Sequence, residues 1–562
     1  MEEMVFGTLG TLEQRLARHN RQHTGVWHNH MVAPNPPRPG QTARLSVWVN
    51  LPYPIRRVIC RLQAPTPGEI ELQPTDSRWD GLGWSYYQVW EADLPAQPAG
   101  TVVRYRVEAE SWDGQEAVSA DNDATFAYRV EEPALPDWTR SAVIYQILPD
   151  RFHPGPGRQW PALDDLNAIH GGTLNGITDR LDYLADLGIN CLWLNPFFPD
   201  DTHHGYHASD YFSVNPRLGT SADLHALVRA AHARGIRLLL DFVANHWGSG
   251  HPTFQAARTD PAGDYVNWYN FRIWPDDYET FFGVADLPKV NVDYGPARDY
   301  LLRSARYWLT EYEFDGFRLD YAVGPSHDFW TDFRAAVKEA RPDAWIFGEV
   351  VEGPDAQMSY FGRFDGCLDF LLAQALRRLF GLNTLSLPAF DALLTQHEAY
   401  FPSTFSRPSF LDNHDMNRFL YLAGGDVRKL KLAALCQFSL SGPPIIYYGT
   451  EIGLGQRRDR RDPASFGMAE ARLPMLWEDG RDLELFQFYR RLIHFRRAHP
   501  ALWQGARQTA HLDAAAGTYA YTRHAPGDSV VIGFNLSPEP RRFTAAGQAF
   551  DLEPWSGDMA VG

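Results

Sequence analysis

Between residues 140 and 500, short apolar runs alternate with helical patterns, and this alternation constrains the fold more than any other feature of the sequence. Strands that alternate with helices predict a parallel sheet, and about eight such units predict a closed (β/α)8 TIM barrel of the α/β class. Segments such as ITDRLDYLADLG supply the helices. The runs that we interpret as strands are VIYQIL (143–148), CLWLNP (191–196), IRLLLDFV (236–243), FDGFRLD (314–320), WIFGEV (345–350), PSFLDNH (408–414) and PIIYYGTE (444–451), with the start of a sixth strand in FDGCLDF.

The sequence on both sides of the barrel has the period-2 pattern of antiparallel strands. Before the barrel, RLSVWVNL, YYQVWEADL and TVVRYRVEAES are separated by turn residues and predict an N-terminal β-sandwich domain over residues 1–135. After the last barrel helix, GTYAYTRH and SVVIGFNL predict a small C-terminal antiparallel β-domain over residues 501–562. The barrel itself is thereby predicted over residues 136–500.

The spacing of acidic residues at the strand ends predicts an insertion in the barrel. Asp320 and Glu349 are 29 residues apart, close to the roughly 30 residues of one βαβ unit. Asp241 and Asp320 are 79 residues apart, which is too long for one unit. We therefore predict a small inserted domain after the third strand, at about residues 247–297, where aromatic residues are frequent (NWYNFRIW, YETFFG).

Composition excludes several classes of function. The net charge of −17 argues against a nucleic-acid partner, because phosphate binding needs a basic surface. No stretch reaches the roughly 20 apolar residues of a membrane span, and the N-terminus lacks the pattern of a secretory signal. The four scattered cysteines favour buried free thiols over a disulfide framework. We therefore expect a cytoplasmic protein with a neutral substrate.

Polar side chains follow four of the predicted strands at the point where each strand ends. Active sites of (β/α)8 barrels are built at these carboxyl ends, so the side chains should converge on one rim. No HExxH pattern or other ligand set with zinc-site spacing accompanies them, so we predict no metal. The residues at the strand ends are Asp241, Asn245, His246, Arg318, Asp320, Glu349, His414 and Asp415.

These residue types suit the hydrolysis of a glycosidic bond with retention of configuration. That reaction needs a carboxylate nucleophile and a carboxylic acid about 5 Å apart. Arg318 and Asp320 are two residues apart on one strand and point the same way, so the guanidinium would orient a nucleophilic Asp320 and keep it ionised. Glu349 would lie among like charges, which raises the pKa of its carboxyl and suits it to protonate a leaving oxygen.

The remaining polar residues of the rim would bind the sugar. Asp415 would hold hydroxyl groups and stabilise a transition state with oxocarbenium character. His246 and His414 are donors that could bind hydroxyls of the same ring. Asp241 has two interpretations: it contacts substrate, or it braces Arg318 and the strand ends. A single such motif would be weak evidence, because acidic residues at strand ends often cap the next helix. Four in order at barrel spacing are much stronger evidence.

These segments resemble the conserved regions of the α-amylase family of glycoside hydrolases. DFVANH, GFRLD, FGEV and FLDNHD resemble four of its regions, in which Asp320 matches the nucleophile, Glu349 the acid/base, and Asp415 the third carboxylate. HHGYHASDY resembles the stretch whose tyrosine, here Tyr206, stacks on the sugar at the cleavage subsite. The similarity covers roughly residues 140–500. LPKVNVD (287–293) and ARLPMLW resemble the neopullulanase, cyclomaltodextrinase and maltogenic amylase group.

The resemblance implies a retaining hydrolase of α-1,4-glucosidic bonds in maltodextrins and cyclodextrins, with pullulan as a further candidate substrate. It also implies a homodimer formed through the N-terminal domain, since relatives in that group often dimerise there. Two alternatives stay open at this point. One is an α-glucanotransferase of the same family, and the other is a glucan-binding protein that has lost catalysis on this fold.

The sequence departs from the group after Asp320, where it reads YAVGP. Gly324 stands where the group carries a glutamate linked to acceptor binding, and where calcium-dependent α-amylases carry a histidine. A calcium site that uses Asn245 is therefore not supported, and HPGPGRQWP lacks the Asn/Asp cluster that binds calcium in some relatives, so we predict no cofactor. QRRDRRDPASFGMAEAR is longer than the matching family segment, so its Asp and Arg contacts are left unassigned.

Overall fold

The computed structural model describes residues 12–562, so the first eleven residues of the predicted N-terminal domain lie outside the described part. A helix at Leu12–Gln22 precedes eight strands that pair antiparallel throughout. The long fourth strand pairs with both of its sequence neighbours and has an irregular register between Pro74 and Asp76, so it joins two faces around one apolar core. The strands are Gly25–Trp27, Ala43–Asn50, Ile55–Ala64, Gly68–Asp80, Ser85–Leu94, Val102–Ser111, Ala117–Ser119 and Phe126–Arg129.

Eight parallel strands form the central barrel, in the spatial order 6-5-4-3-2-1-8-7. A parallel bridge between Gly366 and Ser406 connects strand 6 to the segment before strand 7 and closes the barrel. The predicted fold class is confirmed, including the short sixth strand within FDGCLDF. Barrel strands 1 to 8 are Ile144–Ile147, Cys191–Leu194, Arg237–Val243, Gly316–Asp320, Trp345–Gly348, Gly366–Cys367, Ser409–Phe410 and Pro444–Tyr447.

Helices surround the barrel and bury their apolar faces against the strands. The segment ITDRLDYLADLG is divided between two helices, because the chain leaves helical geometry at Arg180. The larger helices are Leu174–Asp179, Leu181–Leu187, Ser221–His232, Gly295–Thr310, His327–Ala340, Phe370–Leu376, Leu387–Tyr400, Val427–Ser439 and Leu483–Ala498; the shorter ones are Pro149–Phe152, Pro354–Met358, Phe419–Leu422 and Ala501–Gln504, and a π-helical turn covers Arg377–Gly381.

Two further units flank the barrel. Between strand 3 and the helix Gly295–Thr310 the chain forms a helix, Pro252–Thr259, and a two-stranded sheet, Phe271–Ile273 with Asp277–Tyr278. After the last barrel helix, four antiparallel strands and a separate hairpin form the C-terminal unit, with a small core of its own. Those strands are Ala506–Asp513, Thr518–Ala525, Asp528–Asn535, Arg541–Ala545, Gln548–Leu552 and Ser556–Val561.

The N-terminal domain is attached to the barrel helix His327–Ala340, which follows strand 4. Arg104 of the domain forms an ion pair with Asp328 on that helix (2.7 Å), and the rings of His30 and His327 stack 4.0 Å apart. Both Arg104 and Asp328 are largely buried, so the pair is better shielded from solvent than a surface ion pair.

The structure also tests the expectation about the cysteines. All four cysteines are free and buried, as predicted. Among residues 12–562, no helix combines the length and the apolar composition that crossing a lipid bilayer would take.

Candidate active site

The predicted residues of the rim come together because strands 3, 4 and 5 are neighbours in register. Asp241 on strand 3 pairs with Arg318 on strand 4, and Asp320 lies one pleat further along strand 4. Leu319 pairs with Gly348 at the end of strand 5, so Glu349 leaves the barrel beside Asp320. Parallel strands therefore bring three acidic side chains and one arginine to one end of the barrel.

Arg318 is the centre of this cluster. Its Nη1 donates to Asp241 Oδ1 (2.7 Å) and to Asp320 Oδ1 (2.8 Å), and its Nη2 lies 2.8 Å from Glu349 Oε2. The guanidinium is fully buried and lies over the ring of Trp193, 5.0 Å from the ring centre. Since one planar group contacts both Asp320 and Glu349, the fork of that group sets the separation of the two carboxyls.

Asp241 is buried beneath the rim, and neighbouring donors occupy both of its oxygens. Besides Arg318, the indole of Trp193 (2.9 Å) and the hydroxyl of Tyr206 (2.8 Å) donate to Asp241 Oδ2. Of the two interpretations given above, these contacts favour bracing of Arg318 over direct contact with substrate. Tyr206 is itself fixed by the amide of Asn195, which donates to its hydroxyl (2.7 Å).

His414, which follows strand 7, connects Asp415 to Tyr206 and so to the cluster around Arg318. Its Nε2 lies 2.7 Å from the hydroxyl of Tyr206, and the two rings are parallel at a centroid distance of 5.3 Å. The side-chain amide of Gln146, on strand 1, lies 2.8 Å from His414 Nδ1. Asp415 Oδ2 lies 3.2 Å from His414 Nε2, so the third carboxylate is at the same rim.

Arg472 contacts Asp415 from the long segment after strand 8, whose contacts the sequence left unassigned. Its Nη2 donates to Asp415 Oδ1 (2.9 Å), and its Nε donates to the main-chain oxygen of His414 (2.8 Å). Asp415 is the most open of the four carboxylates, with 21% of its side chain exposed. This pairing leaves Asp415 charged and accessible, as a residue that binds sugar hydroxyls would need to be.

Burial and charge shift the carboxyl pKa values in different directions. Burial raises the pKa of Asp320 well above 3.8, although Arg318 acts in the opposite direction. Burial also raises the pKa of Glu349, with Arg318 again opposing the shift. Burial acts against ionisation of Asp415 too, but His414 and Arg472 outweigh it and hold the pKa of Asp415 below its usual value. The expectation that Arg318 keeps Asp320 ionised is therefore only partly met.

Asp320 and Glu349 are close enough through Arg318 to titrate as a coupled pair. Both carboxyls are buried against one guanidinium, so the charge of that guanidinium does not balance two carboxylates together with Asp241. A pair that retains one proton contains one carboxylate and one carboxylic acid, which are the two forms that a retaining glycosidase needs at the same time.

The two histidines at the rim are neutral at neutral pH. Burial lowers the pKa of His246 and that of His414 to about 3. A neutral imidazole has one donor and one acceptor, so neither histidine adds charge to the site. His246 also stacks against Phe281 of the inserted segment at a centroid distance of 4.4 Å.

Aromatic side chains enclose the end of strand 4. Tyr321 follows Asp320 with a positive φ of 38°, an uncommon conformation for a residue with a side chain, and its main-chain N–H donates to Glu349 Oε2 (3.0 Å). Its ring contacts those of Phe281 and Phe282, at 4.9 and 5.2 Å between centroids. The strained turn thus supplies Glu349 with a hydrogen-bond donor, and the rings of Phe281 and Phe282 pack against Tyr321 of the same turn.

Gly324 lies against Asn245, and there is no room for a side chain at residue 324. A Cβ atom on Gly324 would be 2.0 Å from Asn245 Oδ1 and 2.9 Å from the ring of Tyr321. That amide oxygen is buried and has no hydrogen-bond partner among the described residues. Within residues 12–562, no group of three or more His, Cys, Asp or Glu residues is arranged to hold a metal ion. The absence of a cofactor stays a prediction.

The arrangement brings together most of the residues that the sequence selected. Asp241, Asp320 and Glu349 all contact Arg318, and Tyr206 connects this cluster to His414 and Asp415. Sequence reasoning missed Gln146 and Arg472. A polar residue inside the apolar run VIYQIL was a signal for Gln146, whereas nothing in the loop pointed to Arg472. The cluster can supply a nucleophilic carboxylate, a carboxylic acid and donors for hydroxyl groups.

Residues 146–505 match the family model described as alpha amylase, catalytic domain. Among curated relatives, Alpha-amylase 2 of Dictyoglomus thermophilum is 38% identical over 425 residues, which cover 75% of this chain and 74% of the relative. A cyclomaltodextrinase of Geobacillus thermopakistaniensis is 36% identical over 433 residues, covering 74% and 72% of the two chains.

Solved structures extend the similarity to the flanking domains. A cyclomaltodextrinase structure superposes with a TM-score of 0.69 at 29% identity, and it covers 93% of this chain and 92% of its own. The N-terminal domain is therefore included in the likeness, together with the barrel and the C-terminal strands.

Proposed function

The chain belongs to the α-amylase family of glycoside hydrolases, and on that premise we propose that it hydrolyses α-1,4-glucosidic bonds in maltodextrins, cyclodextrins and pullulan with retention of configuration. The observation that carries the proposal is the contact of one guanidinium, Arg318, with both Asp320 and Glu349. The cyclomaltodextrinase relative supports the substrate class.

The reaction has two steps. In the first, Asp320 attacks the anomeric carbon while Glu349 gives its proton to the departing glycosidic oxygen, which produces a glycosyl ester on Asp320. In the second, Glu349 removes a proton from water. The oxygen of that water attacks the anomeric carbon from the face that the leaving group had occupied, and Asp320 is released. The two inversions together retain the configuration, and the proton returns to Glu349.

The other residues of the rim would bind the substrate or position the two catalytic carboxyls. Asp415 and neutral His414 would bind hydroxyl groups of the sugar at the cleavage position, and Arg472 would hold Asp415 in place. The ring of Tyr206 would stack on that sugar, since its orientation is fixed by Asp241 and Asn195. Asp241 and Arg318 would position the nucleophile and would not contact the substrate.

The proposal is tested by a parallel digestion of γ-cyclodextrin, pullulan, soluble starch, sucrose and trehalose, with products identified by chromatography and their anomeric form by proton NMR. We expect α-anomeric maltose and glucose from γ-cyclodextrin, and no product from sucrose or trehalose. Products longer than the substrate at high maltotriose concentration would instead support the glucanotransferase alternative. Binding of γ-cyclodextrin without any product would support a non-catalytic glucan-binding protein.

We further propose that the protein forms a homodimer through its N-terminal domain. The hairpin between strands Gly68–Asp80 and Ser85–Leu94 exposes three clustered aromatic rings. The rings of Trp79 and Trp84 are 5.3 Å apart, those of Trp79 and Tyr86 are 5.0 Å apart, and the three side chains are 48–79% exposed. An exposed apolar cluster of this kind is typical of a protein interface.

The dimer proposal predicts that the double substitution Trp79→Ser, Trp84→Ser shifts the protein from dimer to monomer in sedimentation velocity at micromolar concentration. Trp112→Ser is the matched control, because Trp112 is 72% exposed on a different turn of the same domain. A wild-type protein that sediments as a monomer would contradict the proposal, as would a double variant that remains a dimer.

We also propose a cytoplasmic location, which the four buried free thiols support.

A further inference from the structure

An open cavity of about 700 Å³ lies between the barrel and the C-terminal domain. Its lining includes Arg140, Arg407 and Pro443, which lie within four residues before the starts of barrel strands 1, 7 and 8. The cavity is therefore at the amino ends of the strands, across the barrel from the acidic rim. Its volume falls within the roughly 300–1,000 Å³ of sites that bind small molecules.

The acidic side chain in the lining of this cavity is neutralised by arginines. Glu398 receives hydrogen bonds from Arg507 Nε (3.1 Å) and Arg523 Nη1 (3.0 Å). Arg507 also donates to Asp391 (2.8 Å), so these four groups balance one another. None of them is left to neutralise further positive charge in the lining.

Two other arginines in the lining are less closely paired than Arg507. Arg407 is only 13% exposed, and its nearest carboxylate oxygen, Asp369 Oδ2, is 3.9 Å away. That oxygen already accepts from His397 at 2.8 Å. For Arg140, no carboxylate lies within 4 Å in the part of the chain that the structure describes. The cavity therefore has surplus positive charge in a protein whose net charge is −17.

One further donor among the lining residues has no partner in the part of the chain that the structure describes. The indole N–H of Trp503 is shielded from solvent and finds no acceptor within residues 12–562. Buried donors of native proteins are nearly always paired, so this N–H would gain a partner if a small shift of the ring brought it to a ligand in the cavity. The hydroxyl groups of Ser403 and Ser441 lie in the same lining.

From this donor surplus we propose that the cavity is a binding site for a small organic phosphate of the sugar monophosphate class. Arg140 and Arg407 would bind the phosphate, because guanidinium groups form paired, charge-assisted hydrogen bonds with phosphate oxygens. The indole of Trp503 would donate to a sugar oxygen, and the serine hydroxyls would bind the sugar hydroxyls.

A neutral glucan fits this lining less well. Sugar rings bind to exposed aromatic faces, yet two of the three aromatic rings in the lining, Phe401 and Phe405, are buried. Only Trp503 offers ring surface, and a neutral chain would leave the guanidinium group of Arg140 without a counter-charge. The cavity therefore favours a single phosphorylated sugar over an oligosaccharide.

The test is isothermal titration of the full-length protein with glucose 6-phosphate as the probe, at low ionic strength. Glucose and inorganic phosphate are titrated separately, so that the two halves of the ligand are distinguished. We expect saturable binding of glucose 6-phosphate, at least tenfold weaker binding of inorganic phosphate, and no heat from glucose. Arg407→Gln and Arg140→Gln should each weaken binding of glucose 6-phosphate at least tenfold.

Arg428→Gln is the matched control, because Arg428 is an exposed arginine paired with Asp426 away from the cavity. It should bind glucose 6-phosphate like the wild type, and all three variants should keep the wild-type melting temperature and the rate of γ-cyclodextrin hydrolysis. The proposal is overturned by an absence of saturable binding, by unchanged affinity in both cavity variants, or by equal affinity for inorganic phosphate. Displacement of glucose 6-phosphate by maltotetraose would also overturn it and would identify a glucan site.

Discussion

Replacing Asp320 by asparagine is expected to lower kcat on γ-cyclodextrin by about 10⁴-fold or more while the protein stays folded. An amide oxygen is too poor a nucleophile to attack the anomeric carbon, so the glycosyl ester cannot form. The amide can still accept a hydrogen bond from Arg318, because that bond uses a single oxygen of Asp320. The Asp320→Asn variant should therefore fold normally although it cannot form the glycosyl ester.

The measurement is kcat for γ-cyclodextrin by reducing-sugar release, together with the circular dichroism spectrum and the melting temperature. Asp286→Asn serves as the control, since Asp286 is an exposed residue of the inserted segment whose carboxylate accepts a hydrogen bond from the hydroxyl of Ser249. Mass spectrometry of the wild type after treatment with a slow fluorosugar substrate should locate the label on Asp320. Activity within tenfold of wild type, or a label on Asp415, would exclude Asp320 as the nucleophile.

Replacing Glu349 by glutamine should lower kcat on γ-cyclodextrin by about 10²- to 10⁴-fold, because the leaving oxygen then departs without a proton. A substrate whose leaving group needs no proton separates this role from that of Asp320. With α-maltosyl fluoride, the burst of fluoride release should remain close to wild type in Glu349→Gln and be absent in Asp320→Asn. A glutamine variant that fails equally on both substrates would contradict the acid role.

The same variant should be more stable than the wild type at alkaline pH. The folded protein raises the pKa of Glu349, mainly through burial, so the folded state holds this proton more tightly than the unfolded state does. The stability that Glu349 contributes is therefore present below its unfolded pKa near 4.5 and is lost as the pH rises through the raised pKa. Glutamine carries no charge, so the Glu349→Gln variant does not lose this stability as the pH rises.

We accordingly expect the melting temperature of Glu349→Gln to exceed that of wild type at pH 8, with the difference shrinking at pH 5. Differential scanning fluorimetry at both pH values measures it, with Glu311→Gln as an exposed control. A melting temperature that falls equally at the two pH values would mean that the contact with Arg318 stabilises the fold more than burial of the charge costs.

The residues at the strand ends could be predicted because consecutive strands of the barrel are neighbours in space. Asp241 and Arg318 lie two residues before the ends of their strands and Glu349 directly follows its strand, and adjacent parallel strands must bring such ends together. The loops follow no such rule. Arg472 reaches Asp415 from a segment of irregular structure, and only the folded path of that segment reveals the contact.

The pKa values show a second limit of prediction from sequence. A sequence shows that Arg318 and Asp320 are neighbours, which favours an ionised aspartate. It does not show how deeply both are buried, and burial raises the pKa of Asp320 in spite of the arginine. The helix pattern ITDRLDYLADLG failed in a similar way, because the break at Arg180 depends on local backbone geometry and not on the apolar period.

The contact between Gly324 and Asn245 has a consequence for how this chain could have diverged from relatives with a larger residue at position 324. The space that a side chain would need is filled by the amide of Asn245, with 2.0 Å between the two atoms. A lineage that gained a glutamate there would first need a different rotamer or residue at 245, because the single change collides. A side chain at residue 324 is therefore compatible with the fold only where the amide of Asn245 has turned aside, so Gly324→Ala should lower the melting temperature unless Asn245 changes its rotamer.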